Sequence, residues 1–210
     1  EAVTARRSYL KFQPKSADGR AVLGIVLLGE GHFAEARPEL EQAVHLDPSQ
    51  AEAVKALSRV DTIEGNPARA IPLLRPLVES VAADDEARMI FARALIESGN
   101  TNSALRIMDR MLVANPNSSQ QTYILAAVAA RDSGDIPKAM QICEQGARAF
   151  PNSERVESVY ASLPPEALVK RANQRLEQLR KHRRRGQIGR GGPVPDRRGE
   201  GQARSAYGGR

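Results

Sequence analysis

Side chains that could carry out catalysis or bind a metal ion are few and scattered in this 210-residue chain. It has one cysteine, Cys143, and three histidines, His32, His45 and His182. A lone cysteine excludes a disulfide framework and a cysteine-based zinc site, and histidines so far apart form no metal-binding motif. Cys143 is expected to be a buried packing residue, and His45 to stabilise a helix C-terminus. We therefore expect a protein that is not an enzyme and has no metal site and no cofactor.

The basic residues are the second group that could bind a ligand, and they are unevenly distributed. The chain has 31 Lys+Arg against 25 Asp+Glu, a formal net charge of +6. Residues 180–210 contain ten Lys+Arg and two acids, a net charge of +8, which leaves 21 basic and 23 acidic residues, or −2, for residues 1–179. The basic excess therefore belongs to the C-terminal segment, and the rest of the chain is nearly neutral.

The C-terminal segment, residues 184–210, is rich in arginine and contains eight of the sixteen glycines. With so few apolar residues it cannot offset the entropy of ordering its backbone, so we predict a disordered tail. Its arginines could bind RNA, DNA or an anionic membrane through phosphates. The composition is equally typical of a nonspecific solubilising extension. The polyanion-binding candidates are Arg183, Arg184, Arg185 and Arg190.

A repeat of 34 residues organises the rest of the chain. Rows that begin at Ala17, Ala51 and Asp85, and at Gln120 after a one-residue insertion, align residue by residue. The columns that recur in all four rows hold a glycine (Gly31, Gly65, Gly99, Gly134), an alanine (Ala36, Ala70, Ala104, Ala139) and an apolar or sulfur side chain (Leu40, Leu74, Met108, Cys143). A fixed period of this length is typical of a helical repeat protein.

One row has the pattern of a helical hairpin. Apolar residues between Ala17 and Gly29 recur at the spacing of one helical face, and Gly31 provides the backbone freedom to reverse direction. A second helix follows, and Pro48 ends it because proline cannot continue a helix. Since one hairpin cannot bury its apolar face alone, neighbouring hairpins are expected to stack.

These residues resemble the tetratricopeptide repeat over about 150 of the 210 residues. The resemblance is carried by Leu23-Gly24, Gly31, Phe33, Glu35-Ala36, Ala43 and Leu46-Asp47-Pro48 and their equivalents. It implies an all-α fold, a right-handed α-α superhelical solenoid of helical hairpins. The implied organisation is the second helix of a truncated repeat (1–16), four repeats (17–50, 51–84, 85–118, 119–153), a degenerate repeat with a C-terminal capping helix (154–183), and the tail (184–210).

Two features depart from a complete, regular array. Asp61 occupies the column of Leu27 and Leu95, and Pro67 replaces Phe33, so we expect the second repeat to be loosely packed. Glu1-Ala2 aligns with the start of a second helix, and the chain has no initiating methionine. We therefore expect a fragment of a longer protein, whose upstream region could contain a signal peptide or a catalytic domain.

The resemblance implies a ligand site on the concave face, which the first helix of each hairpin lines. Arg59 and Arg93 lie one repeat apart, and Lys55 lies one helical turn from Arg59. Such cations could bind a carboxylate or an acidic peptide. Alternatively they form an ordinary solvated face, with Glu52 and Glu86 as their partners. The candidate peptide-binding residues are Lys55, Arg59, Arg93, Ile25, Met89 and Val128.

The function that the resemblance implies is a non-catalytic scaffold that binds a peptide or partner domain and aids complex assembly. Two alternatives stay open: an accessory domain of a larger enzyme or secretion protein, and RNA or polyanion binding through the tail. No apolar run approaches the roughly 18–20 residues that span a bilayer, so we expect a soluble segment. The cytoplasm is favoured, with the periplasm or the cell exterior open if a signal peptide precedes the chain.

Overall fold

Helices are the only regular secondary structure in the described part of the chain. This computed structural model describes residues 2–80 and 84–188, with only the backbone of residues 2, 175 and 182–188. Within these ranges the helices are α1 (Ala2–Phe12), α2 (Ala17–Gly29), α3 (Phe33–Leu46), α4 (Ala51–Ile63), α5 (Pro67–Glu79), α6 (Asp85–Glu97), α7 (Thr101–Ala114), α8 (Gln120–Asp132), α9 (Ile136–Ala149), α10 (Glu154–Ala161) and α11 (Pro165–Ile188). The chain divides into two compact units, Glu1–Leu163 and Pro164–Arg210.

The first unit is built from consecutive helical hairpins. Helices α2 and α3 form the first hairpin, α4 and α5 the second, α6 and α7 the third, and α8 and α9 the fourth. First helices of neighbouring hairpins also contact one another, α2 with α4, α4 with α6 and α6 with α8. Stacking of this kind gives each hairpin the apolar partner that it lacks alone. The predicted all-α repeat fold is confirmed.

Glycine makes the turn inside every hairpin. The recurrent glycines have positive φ angles, 82° at Gly31, 77° at Gly65, 79° at Gly99 and 86° at Gly134. Residues with a Cβ avoid this left-handed region, so each glycine ends its helix where the chain must reverse. In the first hairpin, the amide of His32 closes the end of α2 by donating to the carbonyl of Leu27 at 2.9 Å.

Small side chains at the helix crossings set the close packing of each hairpin. The recurrent alanines Ala36, Ala70, Ala104 and Ala139 are all completely buried. A Cβ added to Gly24 would lie 2.5 Å from Cγ of Leu40, so α2 and α3 approach more closely than any larger residue at position 24 allows. Close packing of this kind makes the core sensitive to volume changes of a single methyl group.

The second repeat is not loosely packed, contrary to the expectation from Asp61 and Pro67. Asp61 is only 2% exposed. Its Oδ1 accepts a hydrogen bond from Nη2 of Arg37 on the preceding hairpin at 2.8 Å, and the same guanidinium binds Glu64 at 2.5 Å. Hydrogen bonds from Arg37 to Glu64 and Asp61 outweigh its partial burial and raise the pKa of Arg37. Pro67 begins α5, where the missing amide proton costs no helical hydrogen bond.

The second unit contains the long helix α11. It extends to Ile188, past the predicted boundary at residue 183, so the first residues of the predicted tail are helical. Residues 189–210 lie outside the described residues. The side chains of Ala172, Leu176 and Leu179 on this helix are exposed. The role of α11 as a cap therefore stays a prediction.

The buried Arg37–Asp61 pair predicts a strongly non-additive mutant cycle. Arg37→Met leaves the carboxylate of Asp61 buried without its cation, and we expect the free energy of unfolding to fall by about 3 kcal/mol. In an Asp61→Leu background, which restores the apolar residue of that column, the same substitution is expected to cost less than about 1 kcal/mol. Urea unfolding of the four proteins checks this. Equal costs of Arg37→Met in both backgrounds would contradict it.

Candidate functional site

A groove runs along the first helices of four consecutive hairpins. Its cavity has a volume of about 430 Å³. Because α2, α4, α6 and α8 stack in register, equivalent positions of successive repeats open onto the same space. Its lining residues are Leu28 from α2, Arg59, Thr62 and Ile63 from α4, Glu86, Met89, Ile90 and Arg93 from α6, and Gln121 and Leu125 from α8. We call this cavity the groove.

The groove contains three of the six residues that the sequence proposed for ligand binding. Arg59, Met89 and Arg93 line it. Ile25 and Val128 are half-buried and do not line it; Ile25 packs against the core of the first two hairpins. The one-repeat spacing of Arg59 and Arg93 therefore places both guanidinium groups at a single cavity.

The groove also contains apolar residues that the sequence reasoning missed, notably Ile63, Ile90 and Leu125. The sequence pattern did not distinguish Ile90 and Leu125 from core residues, because they adjoin the packing columns and are almost fully buried. Ile63 had a detectable signal. Its column holds Gly29, Glu97 and Asp132 in the other repeats, and Ile63 is 54% exposed. The signal was a large apolar residue in a column that is otherwise polar or glycine.

Lys55 does not line the groove, which corrects the sequence-based assignment. The residue is only 3% exposed. Its Nζ lies 2.6 Å from Oε1 of Glu52, 2.9 Å from Oδ2 of Asp84 and 2.8 Å from Oε2 of Glu86. The alternative interpretation, in which Glu52 and Glu86 serve as partners of nearby cations, is the one observed. We call Lys55 and these three carboxylates the ionic cluster.

The ionic cluster joins the second hairpin to the third. Burial disfavours the Lys55 ammonium, but hydrogen bonds to Glu52, Glu86 and Asp84 outweigh it and raise the pKa of Lys55. The hydrogen bond from Lys55 lowers the pKa of Glu86. Asp84 also caps α6, accepting from the amide of Ala87 at 2.6 Å, and this bond lowers its pKa. Lys55, Asp84 and Glu86 therefore stay ionised around neutral pH.

The three carboxylates of the ionic cluster are also the kind of group that binds a metal ion. Oxygen atoms of Glu52, Asp84 and Glu86 lie within 4.8 Å of one another. Each of them already accepts a hydrogen bond or salt bridge from the Lys55 ammonium. The lysine ammonium therefore occupies the space between the three carboxylates, and we assign the cluster a structural role.

Of the two groove arginines, Arg93 is the cation available to a ligand. The guanidinium of Arg59 pairs with Glu86, which also belongs to the ionic cluster. Arg93 is exposed, and among the described residues it has no hydrogen bond or salt bridge, only a longer-range electrostatic interaction with Glu97. The basic groove expected from the sequence is thus reduced to one free arginine beside an apolar surface.

The other residues singled out from the sequence assemble no further site in the described part of the chain. Cys143 is buried, and burial raises its pKa to about 11, so it stays a neutral packing thiol. His32 lies exposed in the turn before α3, and His45 lies in the last turn of that helix. The backbone of Arg183, Arg184 and Arg185 belongs to α11, whereas Arg190 lies outside the described residues. None of the described helices is both long and apolar enough to cross a membrane.

Comparison with known families agrees with the repeat architecture. Two tetratricopeptide-repeat family models match, one at residues 22–75 and the other at residues 62–128. The chain belongs to the tetratricopeptide-repeat family. No curated protein matches its sequence.

Solved structures of other tetratricopeptide-repeat proteins have a similar fold. YrrB, a tetratricopeptide-repeat protein with an unusual peptide-binding site, aligns with a TM-score of 0.68 at 19% identity, over 76% of this chain and 81% of YrrB. MamA from Desulfovibrio magneticus RS-1 aligns with a TM-score of 0.65 at 14% identity, over 72% of this chain and 85% of MamA. TTC0263 from Thermus thermophilus aligns with a TM-score of 0.58 at 19% identity, over 75% of this chain and 89% of TTC0263. At these identities the similarity is one of fold.

The ionic cluster predicts a stability effect at Lys55 that depends on pH. Lys55→Met removes the ammonium that three carboxylates share and leaves Arg59 beside Glu86, and we expect it to lower the free energy of unfolding at pH 7 by about 2 kcal/mol. This is less than for a fully buried pair, because Asp84 and Glu86 are 51% and 43% exposed. The pKa values of both carboxylates are lowered from 3.8 and 4.5, so their contribution is present above those values and is lost as the pH falls through the folded-state pKa. The difference between wild type and variant should therefore shrink near pH 3.

Urea unfolding at both pH values measures the effect, with Arg88→Met as the matched control. Arg88 forms an exposed salt bridge with Asp85 on the same helix at 3.0 Å. Exposed pairs contribute roughly 0–1 kcal/mol, so the control should change stability little at either pH. A Lys55→Met effect no larger than that of Arg88→Met at pH 7 would contradict a stabilising role for the cluster.

Proposed function

We propose that this protein is a non-catalytic scaffold whose groove binds a peptide segment of a partner protein. The tetratricopeptide fold is typical of protein–protein interaction, and its structural relatives include a peptide-binding protein. The observation that supports this chain's own groove as the site is the combination of exposed apolar surface with one unpaired cation. A helix face that only contacts solvent is expected to be polar, with its charged side chains paired or hydrated.

The lining of the groove suggests the chemistry of the peptide. Leu28, Ile63 and Met89 offer apolar surface from three successive first helices, so the peptide should present at least one large apolar side chain. Arg93 can donate two parallel hydrogen bonds to a carboxylate, either an acidic side chain or a peptide C-terminus. Gln121 and Thr62 supply further polar contacts for the peptide backbone. We propose a peptide with an apolar anchor and a single carboxylate, since Glu86 already compensates Arg59.

The repeat stack explains how the groove is held ready for a ligand. Met89 is fixed by hydroxyl contacts from the next hairpin, 3.9 Å from Oγ of Ser119 and 3.7 Å from Oγ1 of Thr122. The ionic cluster fixes α4 against the beginning of α6. A wall that is already ordered loses little conformational entropy on binding, so weak individual contacts contribute more fully to affinity.

A peptide selected from a random library on the immobilised protein provides the test. Binding of that peptide is then measured by fluorescence anisotropy against wild type, Ile63→Ser and Arg93→Ser. We expect each substitution to weaken binding by about tenfold, as loss of one apolar anchor or one charged hydrogen bond costs roughly 1.5 kcal/mol. Both residues are exposed, so helical content and melting should stay at the wild-type level.

Two matched substitutions outside the groove serve as controls. Val113 is 82% exposed on α7, and Arg155 is exposed on α10; neither lines the groove. Val113→Ser and Arg155→Ser should leave peptide affinity within about twofold of wild type, because neither removes a groove contact. Failure to select any peptide would contradict the assignment, as would selected peptides that bind Ile63→Ser and Arg93→Ser as well as wild type.

A further inference from the structure

A second cleft lies between the second helices of two neighbouring hairpins, α5 and α7. Its volume is about 280 Å³, and it shares no lining residue with the groove. The floor is apolar, formed by Phe91 and Leu95 of α6, which are 6% and 5% exposed. Ile71 and Ile107 form part of the walls. We call this space the arginine cleft, because three arginines complete its lining.

The three arginines of the cleft come from both helices. Arg75 lies on α5, and Arg106 and Arg110 lie one turn apart on α7. No aspartate or glutamate is among the described residues that line the cleft. Three positive charges around one small space raise the electrostatic potential there, which favours the binding of an anion.

The described residues provide little compensation for these charges. Arg110 has no hydrogen bond or salt bridge in the described ranges, and Arg106 donates only to the neutral Oγ of Ser103, at 2.9 Å. Arg75 has one long contact, 3.9 Å from Glu79 on its own helix. By contrast, Arg20 and Arg37 each have a carboxylate oxygen within 2.6 Å. The arginines of the cleft therefore keep their hydrogen-bonding capacity for a ligand.

Neutral groups at the beginning of α7 add to this capacity. Asn100 and Ser103 line the cleft beside the arginines, and the side chain of Asn100 makes no capping hydrogen bond to α7. Asp109, the acidic residue of α7, does not compensate the arginines, because its Oδ1 lies 3.1 Å from Nζ of Lys138 in the following hairpin. Polar groups and guanidinium groups thus border one apolar floor.

We propose that the arginine cleft binds an oxyanion, a carboxylate or a phosphate monoester, carried on a peptide segment next to an apolar side chain. The guanidinium groups recognise either oxyanion by paired hydrogen bonds. The half-buried side chains of Ile71 and Ile107 in the walls offer apolar surface to the neighbouring side chain of the peptide. A nucleic acid fits less well, because it requires a longer series of phosphate contacts and exposed aromatic rings for base stacking, and Phe91 is buried. The cleft is a site separate from the groove, and its proposal does not depend on the proposed function.

Three fluorescein-labelled peptides test the proposal on the full chain. Each is a C-terminally amidated peptide of sequence alanine–leucine–X–leucine–alanine, where X is phosphoserine, glutamate or glutamine, so that X supplies the only oxyanion of the peptide itself. By fluorescence anisotropy, the phosphoserine or the glutamate peptide should bind at least about tenfold more tightly than the glutamine peptide, since each charged hydrogen bond contributes roughly that factor. Which of the two binds more tightly identifies the oxyanion. Binding should weaken on raising NaCl from about 0.1 M to about 1 M.

Variants separate this cleft from the groove. Arg106→Gln combined with Arg110→Gln should weaken binding of the anionic peptide by at least about tenfold while helical content and melting stay at wild-type values, because both side chains are exposed. The double variant and its reference protein both carry Arg93→Gln as well, which removes the carboxylate contact proposed for the groove and leaves the lining of the cleft intact. Equal binding of all three peptides, no measurable binding of either anionic peptide, or unchanged affinity in the double variant would overturn the proposal. Tighter binding of a single-stranded RNA octamer than of either anionic peptide would overturn the peptide assignment.

Discussion

The architecture depends on one constraint: a helical hairpin of this size cannot bury its own apolar face. Each hairpin is completed by the next, and within each of the four hairpins a completely buried alanine lets the two helices pack closely. The period of 34 residues in the sequence reflects this requirement, because each hairpin presents the same packing residues to its neighbours. It also aligns the first helices side by side, so that a groove extends along them without any one repeat containing a site.

The second repeat shows how polar residues can replace apolar ones without loosening the stack. Asp61 occupies a column that holds leucine in other repeats, and it forms a salt bridge with Arg37 of the preceding hairpin. Lys55 forms salt bridges with Asp84 and Glu86 of the following hairpin. Each substitution becomes a link between neighbouring hairpins. The same links determine the charge of the groove, because Glu86 holds Lys55 and Arg59 together and leaves Arg93 available.

Periodicity made the regular features of the fold predictable from the sequence. The helices, the glycine turns, the buried alanines and the face that carries Arg59, Met89 and Arg93 all depend on position within a repeat. Contacts between repeats were harder to foresee. The burial of Lys55 depends on two carboxylates about 30 residues away along the chain, at the start of the next repeat. The arginine cleft was missed for a similar reason, since its cations belong to two hairpins and occupy different columns.

The central claim is that the groove along the first helices is where this scaffold binds its peptide, and methyl NMR tests it most directly. On titration of a library-selected peptide into the protein labelled at isoleucine, leucine and methionine methyls, the account predicts shifts at Ile63, Met89 and Leu125. Methyls of Ile71 and Ile107, in the arginine cleft, should stay unchanged. Shifts confined to Ile71 and Ile107, or absent from all three groove residues, would contradict the account.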